Sequence, residues 1–136
     1  MNILYRNDFV GIDWPTLKAA LAADHFDNGR TAEQLKVSFH NSGVVCFAWS
    51  GDLVVGTGRV LSDGICNAYL IDVWTQSSFR RRGIAREMIQ RLLKRLPGQH
   101  VYLQADNDIV EFYERLGFAA QPAGMSLIVG KWLQND

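Results

Sequence analysis

Phe79-Arg80-Arg81-Arg82-Gly83-Ile84-Ala85-Arg86 is the stretch on which the fold turns. Upstream the apolar residues cluster as strands. Downstream Ile84, Met88, Leu92 and Leu93, with Ile89 and Leu96 beside them, recur at helical spacing until Pro97-Gly98 stops the helix. A basic, glycine-containing turn therefore joins a strand to the head of an amphipathic helix. The first N–H groups of a helix lack intrahelical partners and its dipole favours anions, so the turn is expected to cradle a phosphate. Gly83 and Ala85 let a pyrophosphate approach the backbone, and the arginines add charge and bidentate donors. Neither GxxxxGK(S/T) nor GxGxxG is present. The competing account is a solvated, basic helix start.

Working toward the N-terminus, Val44 to Trp49, Leu53 to Leu61 and a third segment within Ile65 to Val73 are separated by Ser50-Gly51-Asp52 and Ser62-Asp63-Gly64, which predicts an antiparallel meander. Before it, Asp13-Trp14-Pro15 opens a helix carrying Trp14, Leu17 and Leu21 on one face. Thr31-Ala32-Glu33-Gln34 has capping-box spacing for a second helix with Leu35 and Phe39, closed by Gly43. Ile3 to Arg6 is a short first strand.

Toward the C-terminus, His100 to Gln104 reads as a strand. Asp106-Asn107-Asp108 offers caps to a helix from about Ile109 to Leu116, with Gly117 at its end, and Met125 to Trp132 reads as a final strand. The predicted class is α+β, a mixed sheet in one domain over residues 1–136, locally parallel at the strand–helix–strand crossover.

The 136 residues are 48% hydrophobic, and 14 Lys+Arg balance 14 Asp+Glu. That neutrality argues against a general polyanion binder, and no apolar run reaches the roughly 18 to 20 residues of a membrane span. It is also a cancellation. Arg80 through Arg95 hold seven basic residues and one acidic, leaving seven basic and thirteen acidic elsewhere. The N-terminus lacks the pattern of a signal peptide, so a cytoplasmic location is expected. Cys46 and Cys66 have no CxxC spacing, and His25, His40 and His100 form no metal-binding pair, so no metal is expected.

A second motif follows the basic helix: Asn107, Phe112, Tyr113, Gly117 and Phe118 fit Asn-x-x-x-x-Phe-Tyr-x-x-x-Gly-Phe. Arg80, Gly83 and Ala85 fit Arg/Gln-x-x-Gly-x-Gly/Ala. Together, in order and over roughly Val44 to Phe118, they resemble the GCN5-related N-acetyltransferase (GNAT) superfamily. Within it, Ser62-Asp63-Gly64 with Asn67-Ala68, Ile71-Asp72-Val73 and Ala105-Asp106 are similar to the small plant and cyanobacterial arylalkylamine (serotonin) N-acetyltransferases. Thr75-Gln76-Ser77-Ser78-Phe79 departs from that pattern, lacking a proline before the phosphate loop and carrying Phe79 where tyrosine is frequent.

The resemblance implies a mostly antiparallel sheet splayed in the middle with helices on both faces, and acetyl transfer from acetyl-CoA to a small primary amine by direct attack in a ternary complex. Backbone groups of Arg81, Arg82, Gly83, Ile84, Ala85 and Arg86 would hold the pyrophosphate, with Arg80 in the same motif. Backbone at Val73 and Thr75 would receive the pantetheine arm as a further strand, and an N–H near Val73 would face the developing oxyanion. Tyr113 would protonate the departing thiolate, and Asn107 would contact the cofactor and cap its helix.

For the amine's proton, Asp72 is the candidate acceptor. Its alternatives are an ion pair with Arg59 or a solvent-facing position. Alternation puts Asp72 on the face of Leu70 and Trp74 unless a bulge intervenes. Tyr69 and Trp74 either line an aromatic acceptor pocket or belong to the core. The rivals are an acyl-CoA sensor without turnover, an enzyme acting on protein or peptide amines, and a nucleic-acid-binding module, which lacks a second basic element. A homodimer through the C-terminal strand is a further expectation.

Overall fold

The computed structural model describes residues 2–129. Its five strands are β1 (Leu4–Arg6), β2 (Val44–Ser50), β3 (Leu53–Ser62), β4 (Asn67–Thr75) and β5 (His100–Tyr102), hydrogen-bonded in chain order. The first three pairings are antiparallel, and β4 with β5 is parallel, as a crossover through a helix requires. The helices are α1 (Trp14–Ala23), α2 (Ala32–His40), α3 (Ile84–Leu93) and α4 (Val110–Arg115).

Local chemistry sets the helix starts. The Asp13 carboxylate accepts from Thr16 N at 3.1 Å with Pro15 in the first turn, and Thr31 and Gln34 form the reciprocal capping box at 3.1 and 2.9 Å. Gly117, at φ +101°, ends α4, where Phe118 N donates to Tyr113 O.

β2 is buried on both faces because helices cover both. Val44, Cys46 and Ala48 pack with Ile84, Met88, Ile89 and Leu92 of α3, whereas Val45, Phe47 and Trp49 pack with Trp14, Leu17, Leu21, Leu35 and Phe39 of α1 and α2. Each such side chain contributes about 1.5–3 kcal/mol on burial. α3 sits close to the sheet because β3 is small there: a Cβ built on Gly56 would lie 3.0 Å from Met88 Cε and 3.1 Å from Ala48 Cβ. Gly56→Ala is therefore expected to destabilise by about 1–3 kcal/mol through overpacking, read as a lower urea midpoint at unchanged slope.

Four expectations change. α3 stops at Leu93, short of Pro97, and β5 spans three residues where five were expected. The segment 125–129 is not a strand: Met125, Leu127, Ile128 and Val129 are exposed, and the rest of the expected final strand lies outside the described residues. Strict alternation also fails in β4. The register with β3 shifts between Thr57/Trp74 and Arg59/Ile71, and Asp72 takes φ +53°. A bulge there sends Leu70 to the α3 face and Trp74 to the α1–α2 face.

Candidate active site

The sheet opens where chemistry is expected. β4 pairs with β5 only over Asn67–Tyr69, and its remaining residues run to Thr75 with no strand partner on that side among the described residues. Asp72 and Val73 have no register partner on β3 either, because the bulge skips them. On the β5 side the backbone of Val73 has no strand partner among the described residues, an edge able to receive an extended arm. Thr75 is more committed: it pairs with Gly56, and its carbonyl accepts from Arg80 Nε at 3.1 Å. Thr75 Oγ1 and Gln76 Oε1 are buried without a hydrogen-bond partner.

Beyond β4 a short 3-10 turn, Ser77–Phe79, leads into the arginine turn. Arg81 and Gly83 adopt left-handed backbone at φ +64° and +79°, curling the chain into a concave run of N–H groups at the head of α3. Gly83 is the cap residue and no side chain caps α3, so its first amides stay available. A Cβ built on Gly83 meets nothing within 4 Å, so the space above it is open. Arg81, Arg82 and Arg86 are exposed, Ala85 is half-buried, and Ile84 is anchored in the core. Arg82 lies over the Phe79 ring at 5.3 Å. An open, uncapped, cationic helix head beside a free strand edge fits a polyphosphate ligand with an extended arm, the shape of acetyl-CoA.

Tyr113 is 9% exposed and shares an apolar cluster with Ile84 and Leu70, against which Val73 packs. Its ring meets Phe112 and Phe118 edge-on at 5.1 and 5.8 Å. Desolvation pushes its phenol above the usual value, further from ionisation at neutral pH. Asn107 is exposed and starts a 3-10 turn, Asn107–Ile109, but caps nothing with its side chain. The amide of Ile109 is taken by the Asp106 carbonyl, which corrects the capping role expected of Asn107.

Asp72 is bound by two arginines. Arg30 Nη1 and Nη2 donate to its two oxygens at 2.9 and 3.1 Å, and Arg59 Nε donates at 2.6 Å. Arg59 also reaches Ser38 O and Ser42 Oγ. Burial opposes ionisation of Asp72, but the bonds and charges of Arg30 and then Arg59 hold its carboxyl below the usual range. A carboxylate so committed is a poor proton acceptor, and the ion-pair alternative describes it. Trp74 is core, 2% exposed, with its indole N–H on Asp24. Arg30 and Asp24 carried no signal in sequence: both sit in the polar loop after α1, and their partners lie 42 to 53 residues away.

Among the described residues four carboxyls are held below the ordinary range. Asp24 is held by Trp74 and Ser77 against an opposing desolvation, Asp27 mainly by Lys18, Asp63 by the backbone N–H groups of Cys66, Ile65 and Asn67, and Asp72 by its arginines. Depressed folded values mean the unfolded chain binds more protons in acid. Their stabilisation is complete above the unfolded value of about 3.9 and is lost as pH falls through the folded values. Thermal midpoints are expected to be level from pH 7 to about 5 and to fall below about pH 4. A midpoint that rises there would contradict these pairings.

The family model described as "Acetyltransferase (GNAT) family" matches residues 7–118. The chain is 33% identical over 75 residues to the histone acetyltransferase TAP1 of Glycine max, covering 53% of this chain and 32% of the relative. It is 31% identical over 124 residues to the chloroplastic serotonin N-acetyltransferase 2 of Oryza sativa subsp. japonica, covering 86% of this chain and 62% of that one. The chain thus spans between about a third and two thirds of these curated relatives. A crystal structure of a candidate acetyltransferase from Deinococcus radiodurans R1 superposes with a TM-score of 0.82 at 29% identity, over 93% of this chain and 88% of that chain. Because the family match takes in α1 through α4, strands β2 to β5 and the arginine turn alike, the chain belongs to the acetyltransferase (GNAT) family.

Proposed function

We propose that this protein is an acetyl-CoA-dependent N-acetyltransferase acting on a small primary amine by direct attack in a ternary complex. The observation that carries it is the juxtaposition of the uncapped, left-handed Arg81–Gly83 turn with the unpaired stretch of β4. The turn and α3 amides hold the pyrophosphate and the β4 backbone at Val73 aligns the pantetheine arm. The amine nitrogen bonds to the acetyl carbon as the carbon–sulfur bond breaks. The Tyr113 hydroxyl gives its proton to the leaving thiolate and regains one from solvent. The amine's own proton passes to water, since Asp72 is tied to Arg30 and Arg59. A covalent acetyl-enzyme is disfavoured: burial pushes the Cys46 thiol up to about 11.

An arylalkylamine is the acceptor we favour, supported by the likeness to the rice serotonin N-acetyltransferase and by the acidic balance outside Arg80–Arg95, which suits a cationic amine. We further propose a homodimer, supported by the exposed apolar Met125, Leu127, Ile128 and Val129 and by the short β5 at the end of the sheet. Light scattering on a sizing column reads the mass directly, and a monomer at micromolar concentration would refute it.

The deciding experiment follows thiol release from acetyl-CoA across a panel of arylalkylamines, polyamines, aminoglycosides and peptides, beside a thermal shift. Acetyl-CoA at 100 times its dissociation constant is expected to stabilise by about 2.7 kcal/mol. A shift without thiol release on any amine would mark a sensor, and no shift at all would remove acetyl-CoA from the site.

A further inference from the structure

The carboxylate of Asp24 stands where helix energetics give no reason for it. It is the C-terminal cap residue of α1, at the negative end of that helix's dipole, where an anion is disfavoured. Its side chain is only 11% exposed. The reason lies across the fold. Asp24 Oδ2 accepts the Trp74 indole N–H at 2.9 Å and the Ser77 backbone N–H at 3.1 Å, and Arg80 Nη2 stands 3.8 Å from the same oxygen.

These partners frame the donor site. Trp74 fixes the end of β4 just past the bulge, and Ser77 opens the 3-10 turn before the arginines. Arg80 in turn donates to Thr75 O, while Gln76 N donates to Val55 O, so the strand end is held on both flanks. One oxygen at the end of α1 therefore fixes the exit of β4 and the entry of the phosphate turn at once.

We infer that Asp24 is a positioning residue for the donor site, coupling α1 to the phosphate turn through Trp74 and Ser77. The inference rests on the proposed acetyl-CoA reading and adds a residue to it from outside both motifs. Asp24 acts through its acceptor oxygen and not through its charge, which faces the same arginine as the incoming phosphates. An amide oxygen can accept both hydrogen bonds, so Asp24→Asn keeps the geometry and removes the negative charge, whereas Asp24→Ala loses both.

The test measures acetyl-CoA dissociation constants by calorimetry for wild type, Asp24→Asn and Asp24→Ala, the amine KM at saturating acetyl-CoA, and the Trp74 indole N–H resonance with and without acetyl-CoA. Expected are a loss of acetyl-CoA affinity of at least about tenfold in Asp24→Ala, a value within about twofold of wild type in Asp24→Asn, and an amine KM changed less than about twofold in both. The indole resonance is expected to move on acetyl-CoA binding in wild type. Urea unfolding run alongside identifies an Asp24→Ala variant that fails to fold, and the ranking then rests on Asp24→Asn and Asp24→Ser. Serine, too short to reach both donors, is expected to weaken acetyl-CoA binding like alanine. Acetyl-CoA binding by wild type with equal affinity in the truncated variant would overturn the inference alone. Equal losses in the asparagine and truncated variants would overturn it in favour of a charge effect. If wild type binds no acetyl-CoA, the functional reading falls and takes this inference with it.

Discussion

Tyr113→Phe is expected to lower kcat by about 10²- to 10⁴-fold while leaving the acetyl-CoA dissociation constant within about twofold of wild type. The substitution removes one oxygen from a ring whose edge contacts with Phe112 and Phe118 do the packing, so the cluster around Ile84 and Leu70 keeps its shape. What goes is the proton source. The hydroxyl is suited to that role because a phenol carries its proton at neutral pH, and burial moves its ionisation further into the alkaline range. Its raised value also predicts that the alkaline limb of the wild-type kcat/KM profile lies above the pH at which an ordinary phenol ionises. Steady-state kinetics with thiol detection and calorimetry together check the split. Unchanged turnover would remove Tyr113 from the mechanism, and a parallel loss of affinity would make it a binding group.

Asp72→Ala is expected to cost about 3–5 kcal/mol in urea unfolding, a large part of the roughly 5–15 kcal/mol a domain of this size has. The penalty arises because Arg30 and Arg59, with side chains 7% and 11% exposed, would be left as buried cations facing each other without their shared anion. Backbone adds to it, since Asp72 sits at φ +53°, which alanine tolerates less well than aspartate or asparagine. Asp72→Asn keeps the backbone and part of the hydrogen bonding, so a smaller loss is expected. The pH–rate profile separates structure from chemistry: Asp72→Asn should leave its acidic limb in place. A lost limb would restore Asp72 as the proton acceptor.

Sequence legibility follows the range of the interaction. The Thr31–Gln34 capping box, the Asp13 cap and the Gly117 terminus each need only residues within one turn, and each forms as spacing predicts. The basic turn at the head of α3 was legible for the same reason, because helix start, glycine and arginines are contiguous. The Asp72 cluster was legible only in part. Arg59, on the neighbouring strand, was a visible alternative, but Arg30 comes from a loop 42 residues away that no periodicity points to. Asn107 misled because its capping chemistry was available locally while a backbone carbonyl served the same amide. The shape of β4 was legible only as an exception: alternation assumes an unbroken pleat, and the charge of Asp72 within Leu70-Ile71-Asp72-Val73-Trp74 left a bulge open without placing it.

That extra residue makes β4 two half-strands of opposite parity. Odd and even positions exchange faces at Asp72, so residue counting from Asn67 and counting from Thr75 give contradictory answers about which side chain meets which helix. Any chimera that splices this strand onto a relative's must carry the segment from Ile71 to Trp74 as a unit. A seam placed one residue off within it would present Trp74 to α3 and turn Val73 toward the arginines, exchanging the two cores' contributions while altering a single peptide in length.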